Sequence, residues 1–155
     1  MDVLVSRLSS DWVAIRRVFQ AWSLEVPPTF TETFFEDDGY WHAYDESRSV
    51  SLSSIAIDDE HGQPVGAAQI FNVMQPAMGG DPISDSPPGL LAWATNGDAI
   101  QPARASLMLQ GLIAVEGRAL LVTVTSDDLA WARRIWMSIR HHATGQPDSL
   151  NRVHD

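Results

Sequence analysis

The stretch ARASLMLQGLIAVEGRALLVTVTSDDLAWARRIWMSIRHH, from Ala103 to His142, decides how this chain is read. Leu107, Leu109, Gly111, Ile113 and Val115 alternate with Ser106, Met108, Gln110, Leu112 and Ala114. Such period-two alternation with one more apolar face marks a half-buried antiparallel strand. Glu116-Gly117-Arg118 supplies a turn, because Gly117 takes φ > 0 without steric cost. The chain then returns through Leu120, Val122 and Val124 on one face, with Leu121, Thr123 and Thr125 on the other. β-branched residues dominate this run, as a pleated surface prefers. Ser126 or Asp127 is placed to cap a helix, with acids at the positive end of its dipole. Leu129, Trp131, Ala132, Ile135, Trp136 and Ile139 share one arc at about 100° per residue, opposite Arg133, Arg134 and Ser138. Arg140, His141 and His142 sit at the expected negative end, before Gly145 and Pro147. An apolar arc of this kind packs on the adjoining hairpin, each large side chain contributing roughly 1.5–3 kcal/mol on burial.

Upstream, Ser9-Ser10-Asp11 reads as the N-cap of a helix running to about Trp22. Trp12, Ile15, Val18, Phe19 and Trp22 form its apolar arc. Residues 1–8 read as a continuation of that helix or as a short strand around Val3-Leu4-Val5. Pro27-Pro28 ends the element. A hairpin follows: Thr29 to Phe35, a turn at Glu36-Asp37-Asp38-Gly39, then Tyr40 to Tyr44. A turn at 45–48 leads to a strand from Val50 to Ile57. Its apolar parity switches between Leu52 and Ile55, which predicts a bulge near Ser53-Ser54. Asp58 to Pro64 is an acidic loop and Val65 to Val73 a strand. Residues 74–89 form one long Pro/Gly-rich loop. Leu90 to Thr95 is a strand and Asn96-Gly97-Asp98 a turn. The sum is an α+β fold, with an antiparallel sheet of about six or seven strands packed against N-terminal and C-terminal helices.

The length, 155 residues, suits a single α+β domain over 1–155, with a disordered tail expected from about residue 146. The formal charge is −10, from 20 acids against 10 bases. That balance argues against nucleic acid and against an anionic membrane surface, both of which need clustered positive charge. Every base is arginine, so lysine Schiff-base chemistry and a P-loop lysine are excluded. No cysteine is present, which removes disulfides, thiolate nucleophiles and cysteine zinc sites. No run approaches the ~18–20 apolar residues of a membrane span, and the first residues lack a secretory pattern, so a cytoplasmic chain is expected.

The segment GRALLVTVTSDDLAWARRIWMSIR resembles the last strand and helix of PsbP-like domains, and YWHAYDESRSVSLSSIAI fits the successive strands of that layout. The resemblance covers roughly 25 residues and consists mainly of apolar spacing. It implies a non-enzymatic scaffold that docks other proteins, as photosystem accessory subunits and bacterial secretion chaperones do. A profilin-like arrangement of terminal helices against a sheet is equally compatible.

Chemistry-bearing clusters are sparse. Glu36, Asp37 and Asp38 precede Tyr40, Trp41 and His42, and Asp45 and Glu46 follow. Alternation puts Tyr40, His42 and Tyr44 on one strand face, where a His beside a carboxylate suits a general base or a metal ligand. No HxH, HExxH or HxD spacing accompanies it, and solvated hairpin turns explain the acids. Asp58-Asp59-Glu60-His61 lacks the spaced acids around a glycine of a calcium loop. Of six tryptophans, those at 12, 22, 131 and 136 fall on helical arcs and read as core. Trp41 and Trp93 lie on strands beside acidic or irregular loops, where an amphipathic ring anchors a partner as readily as it fills a core. No nucleophile-elbow, SxxK or dinucleotide motif occurs. The sequence therefore points to a non-catalytic module that binds another protein, a basic one by charge, in the manner of an immunity protein or a secretion chaperone. Asp37, Asp38, Tyr40, Trp41, His42 and Trp93 are its candidate contact residues, with no cofactor and no metal expected. A small-ligand pocket near Trp41 and His42, and self-association into a homodimer, are the alternatives.

Overall fold

The computed structural model describes residues 13–75, 81–83, 85–98 and 107–142. In chain order the strands are β1 (Ala14–Val18), β2 (Trp22–Val26), β3 (Thr31–Phe35), β4 (Tyr40–Tyr44) and β5 (Ser49–Ala56). Helix α1 (Ala67–Met74) leads to β6 (Asp81–Ile83), β7 (Leu91–Asp98), β8 (Leu107–Val115) and β9 (Arg118–Ser126). Helix α2 (Leu129–Met137) and the two-residue β10 (Arg140–His141) close the described chain. A seven-stranded sheet runs in the order β3-β4-β5-β9-β8-β7-β6, with every pairing antiparallel, and a three-stranded sheet has the order β1-β2-β10. The fold is sheet-rich with two helices among the described residues. Neither helix is long and apolar enough to cross a membrane.

The β8–β9 hairpin stands as its alternation predicts, paired from Leu107↔Ser126 to Val115↔Arg118 around Gly117 at φ 76°. Leu109, Gly111 and Ile113 turn one way with Leu120, Val122 and Val124, and all six are buried. This face meets α2, whose Ala132, Ile135 and Trp136 are buried as the helical arc predicts. A Cβ at Gly111 would overlap the Trp136 indole, so only glycine lets the helix approach this closely. Asp128, one residue beyond the expected cap, accepts from the Trp131 N–H at 3.3 Å. Trp22, Leu24 and Val26 of the small sheet complete the same core, with Trp41, Val50 and Leu52 beneath them.

Several expectations are corrected. Residues 14–22 are not helix. Ile15 is 69% exposed while Val18 and Trp22 are buried, so the supposed arc does not share one side. The W-S-L-E-V alternation of β2 pairs with β1 and β10 instead, and burial on that ladder outweighs a five-residue helical coincidence. The expected cap at Ser9–Asp11, Trp12 and the tail from 146 lie outside the described residues. Phe19 at φ 54° and Gln20 at φ 65° form the β1–β2 reversal, each costing about 1–3 kcal/mol of strain. The expected strand over 65–73 is mostly helix, because Ala67, Ile70, Phe71 and Met74 recur at helical spacing, and Ile70 is buried. It packs on Leu112, Ala114 and Ala119, on the sheet face opposite α2.

No bulge interrupts β5, which pairs residue for residue with β9 from Ser49 to Ala56. Its apolar parity switches because Ile55 turns to the opposite face, where it is 39% exposed. Val50 and Leu52 point to the α2 side, whereas Ile55 sits opposite Ala119, on the α1 side. Asn96-Gly97-Asp98 continues β7 rather than turning, and part of the long loop is β6. Arg140-His141 adds a strand to β2, where His141 packs on Trp22 with ring centroids 4.6 Å apart, while the Arg140 guanidinium still donates to the Met137 carbonyl at the helix end, at 2.7 Å.

Candidate functional site

The register places Tyr40, His42 and Tyr44 of β4 between Phe35, Thr33 and Thr31 of β3 and Ser53, Ser51 and Ser49 of β5. Thr125 and Thr123 of β9 extend the row beyond Ser49 and Ser51. These residues line the face turned away from α2, in the part of the sheet that α1 does not reach. The aromatic rings form a continuous ladder along it. Phe35 stacks on Tyr40 at 6.2 Å, Tyr40 is 6.2 Å from His42, and His42 stacks on Tyr44 at 5.1 Å. Hydroxyls tie the ladder to its neighbours: Tyr40 donates to Ser51 Oγ at 3.3 Å, and Ser49 and Thr125 share a bond of 2.6 Å. The result is a half-exposed aromatic surface with a hydroxyl margin and no charged side chain within it.

Partial burial beside the tyrosine rings pushes the His42 pKa below its ordinary 6.5. No carboxylate among the described residues pairs with it. Asp45, the nearest acid along the chain, is engaged elsewhere. Its carboxylate accepts from the backbone N–H groups of Ser47 and Arg48 and from the Arg48 guanidinium at 2.7 Å. Burial alone would raise this carboxyl, but Arg48 and the two N–H groups outweigh it and hold the group below its usual range. Arg48 in turn lies over the Phe30 and Trp131 rings, 5.2 and 4.8 Å from their centroids. The 45–48 turn is thereby fastened to the first turn of α2. Among the described residues no three His, Asp or Glu side chains come together as a metal set.

The ladder ends at an open edge. β3 pairs only with β4 and is the terminal strand of the large sheet among the described residues. Phe34 and Phe35 are 48% and 52% exposed there, and Asp37 and Asp38 follow, both exposed, on a 3-10 turn. The inner side of the same strand is anchored. Glu32 accepts from the Trp41 indole N–H at 3.0 Å and from Arg16 of β1 at 2.8 Å. A shallow depression of about 430 Å³ lies at the Tyr44 end, lined by Thr31, Asp45 and Glu46. A second, of about 280 Å³, lies where the open face meets α1, against Met74, Gln110 and Thr123.

The candidate contact residues separate on this framework. Tyr40 and His42 share the open face, and Asp37 and Asp38 stand exposed beside it. Trp41 points the opposite way and is core, 2% exposed. Trp93 is half-buried on β7 opposite Leu112, four strands from β4 and so about 19 Å away. A pocket combining Trp41, His42 and Trp93 does not form. Phe34 and Phe35 were not singled out as contacts from the sequence, although two adjacent aromatics in a strand must face opposite ways. The period-two serines at 49, 51 and 53 likewise announced a hydroxylated face. No protein-family model matches the chain, and no curated protein matches it in sequence.

Proposed function

We propose that this chain is a non-catalytic binding module that receives an extended, basic segment of a partner protein as an added strand on β3. The observation that carries the reading is the terminal strand itself: five residues, a backbone edge unpaired among the described residues, and two half-exposed phenylalanines. An open edge offers alternate N–H and C=O groups to an incoming strand, and side-chain surfaces beside it set the specificity. A strand added there extends the Phe35–Tyr40–His42–Tyr44 ladder by one row. Asp37, Asp38 and Glu46 flank it with exposed carboxylates, which favours a basic segment and speeds its approach at low salt. The PsbP-like resemblance, with its α+β scaffold that docks other proteins, belongs with this reading. So does a cytoplasmic immunity protein or secretion chaperone masking a basic partner.

The reading is tested by affinity capture from host extract, comparing the wild-type chain with a Phe34→Ser/Phe35→Ser variant. The wild type retains a basic protein, more of it at low than at physiological ionic strength, and the variant loses it. Equal capture by both, or no protein captured at low salt, contradicts the proposal.

A further inference from the structure

A second edge lies beside β3. β1 is the terminal strand of the small sheet, paired with β2 alone among the described residues. Two contacts hold the edges together. Arg16 of β1 reaches Glu32 of β3 at 2.8 Å, and Phe19, just past β1, meets Phe34 with ring centroids 5.6 Å apart. Both chains advance in the same sense between these contacts. β1 and the Phe19 turn thus form a wall along the inner side of the open edge.

A strand laid against β3 sends alternate side chains to this wall and to the outer face. Phe34 and Glu32 point to the wall, while Phe35, Thr33 and Thr31 point outward in register with Tyr40, His42 and Tyr44. The two wall positions differ in chemistry. At Phe34 the surface is aromatic and half-exposed. At Glu32 the charge is already met by Arg16, and the same carboxylate holds the Trp41 indole N–H. An apolar side chain suits the first position, and an uncharged donor suits the second.

The two ends of the edge differ in charge. Asp37 and Asp38, exposed on the 3-10 turn past Phe35, have no ion-pair partner among the described residues. Arg17 and Arg118, the cations on that side, donate to the Gln20 carbonyl and the Ser54 hydroxyl. At the Thr31 end Arg48 neutralises Asp45, which leaves Glu46 as the one uncompensated acid lining the depression there. A basic group is therefore drawn to the Phe35 end. Antiparallel strands pair slightly better than parallel ones, and every pairing in this sheet is antiparallel. Antiparallel addition sets the N-terminal end of the incoming segment beside Phe35.

We infer, on the footing of the strand addition proposed above, that the incoming segment runs antiparallel to β3 with basic residues at its N-terminal end. An apolar side chain of that segment seats on Phe34 and Phe19. An uncharged polar side chain two residues later meets Glu32.

The experiment titrates the full chain with synthetic peptides by calorimetry and follows hydrogen–deuterium exchange across Thr31–Phe35. The forward peptide, Arg-Arg-Ser-Tyr-Leu-Thr-Gln-Val, sets its Leu on Phe34 and its Gln beside Glu32. Its reversal, Val-Gln-Thr-Leu-Tyr-Ser-Arg-Arg, has the same composition, and a third peptide is the forward one with Ser in place of Leu. The forward peptide slows exchange over Thr31–Phe35 and binds about fivefold tighter than its reversal. It binds about tenfold tighter than the Ser peptide. Asp37→Asn/Asp38→Asn, at exposed side chains, brings the forward and reversed peptides to within roughly twofold. Phe34→Ser does the same for the Leu and Ser peptides.

Equal binding of the forward and reversed peptides, with β3 slowed by both, overturns the inferred direction and leaves strand addition standing. A forward preference that survives Asp37→Asn/Asp38→Asn overturns the role of the acids, and a Leu preference that survives Phe34→Ser overturns the seat. No binding by the forward peptide overturns the inference as a whole. Strand addition itself is then decided by exchange at β3 in the complex captured from host extract.

Discussion

The two halves of the large sheet are finished differently. Strands β7, β8 and β9 lie between α2 on one face and α1 on the other, and Leu112, Ile113, Ala119 and Leu120 are all at or near zero exposure. Among the described residues, strands β3, β4 and β5 are covered on the inner face alone, where the small sheet packs over Trp41, Val50 and Leu52. Their outer face carries hydroxyls and stacked rings. The two edges differ in the same sense. At the covered half, β6 is three residues long with Pro82 in the middle, which removes a donor and blunts the edge. At the other half, β3 ends in two phenylalanines and has no such guard. Covering both faces concentrates buried apolar surface in one half and leaves the other with one face uncovered among the described residues.

The largest expected effect tests the covered half. Trp136→Ala removes a fully buried indole lying over Gly111 and should lower unfolding free energy by about 3–5 kcal/mol in urea titration. A loss below 1 kcal/mol would mean that α2 is not a principal seal of this core. Next comes the inner side of the open half. Glu32→Ala takes the acceptor from the buried Trp41 N–H and the ion-pair partner from Arg16, and should cost roughly 1–3 kcal/mol by the same assay. Phe34→Ser and Phe35→Ser, on the half-exposed edge, should each cost only about 0.5–1.5 kcal/mol, through the lost ring contacts with Phe19 and Tyr40. A larger loss would make that edge part of the core and erase the contrast.

The smallest effect is a pH slope. His42 and His141 both have pKa values lowered by burial, with the charge of His142 adding to the effect at His141. Below the unfolded value of 6.5 the unfolded chain takes up these protons more readily than the folded one. Stability should therefore fall as pH drops through the range beneath 6.5, with His42→Gln flattening part of the decline in denaturant midpoints measured across that range.

How much of this was legible in the sequence follows from what each pattern measures. The β8–β9 hairpin and α2 were readable because long runs kept one period, and Gly117 marked the turn. Residues 12–22 misled because five apolar positions fit a helix, whereas the pairing of β2 with β10 comes from residues more than a hundred positions away. The parity switch in β5 reflects an exposed apolar residue, Ile55, on the outer face of an uninterrupted strand, which alternation alone does not distinguish from a bulge. Of the candidate site, the alternation of Tyr40, His42 and Tyr44 held. Trp41, read from the sequence as partner anchor or core ring alike, is core, as its place between Tyr40 and His42 in the alternation requires. The exposed edge at Phe34 and Phe35 depends on strand order, and strand order is a property of the whole sheet.

Hydrogen–deuterium exchange across residues 31–35, in the free chain and in the complex captured from host extract, tests strand addition most directly. The account predicts that exchange across Thr31–Phe35 slows markedly in the complex, while Asp81–Ile83 at the guarded edge exchanges as before. Exchange at β3 unchanged by the partner, with protection appearing elsewhere, would contradict it.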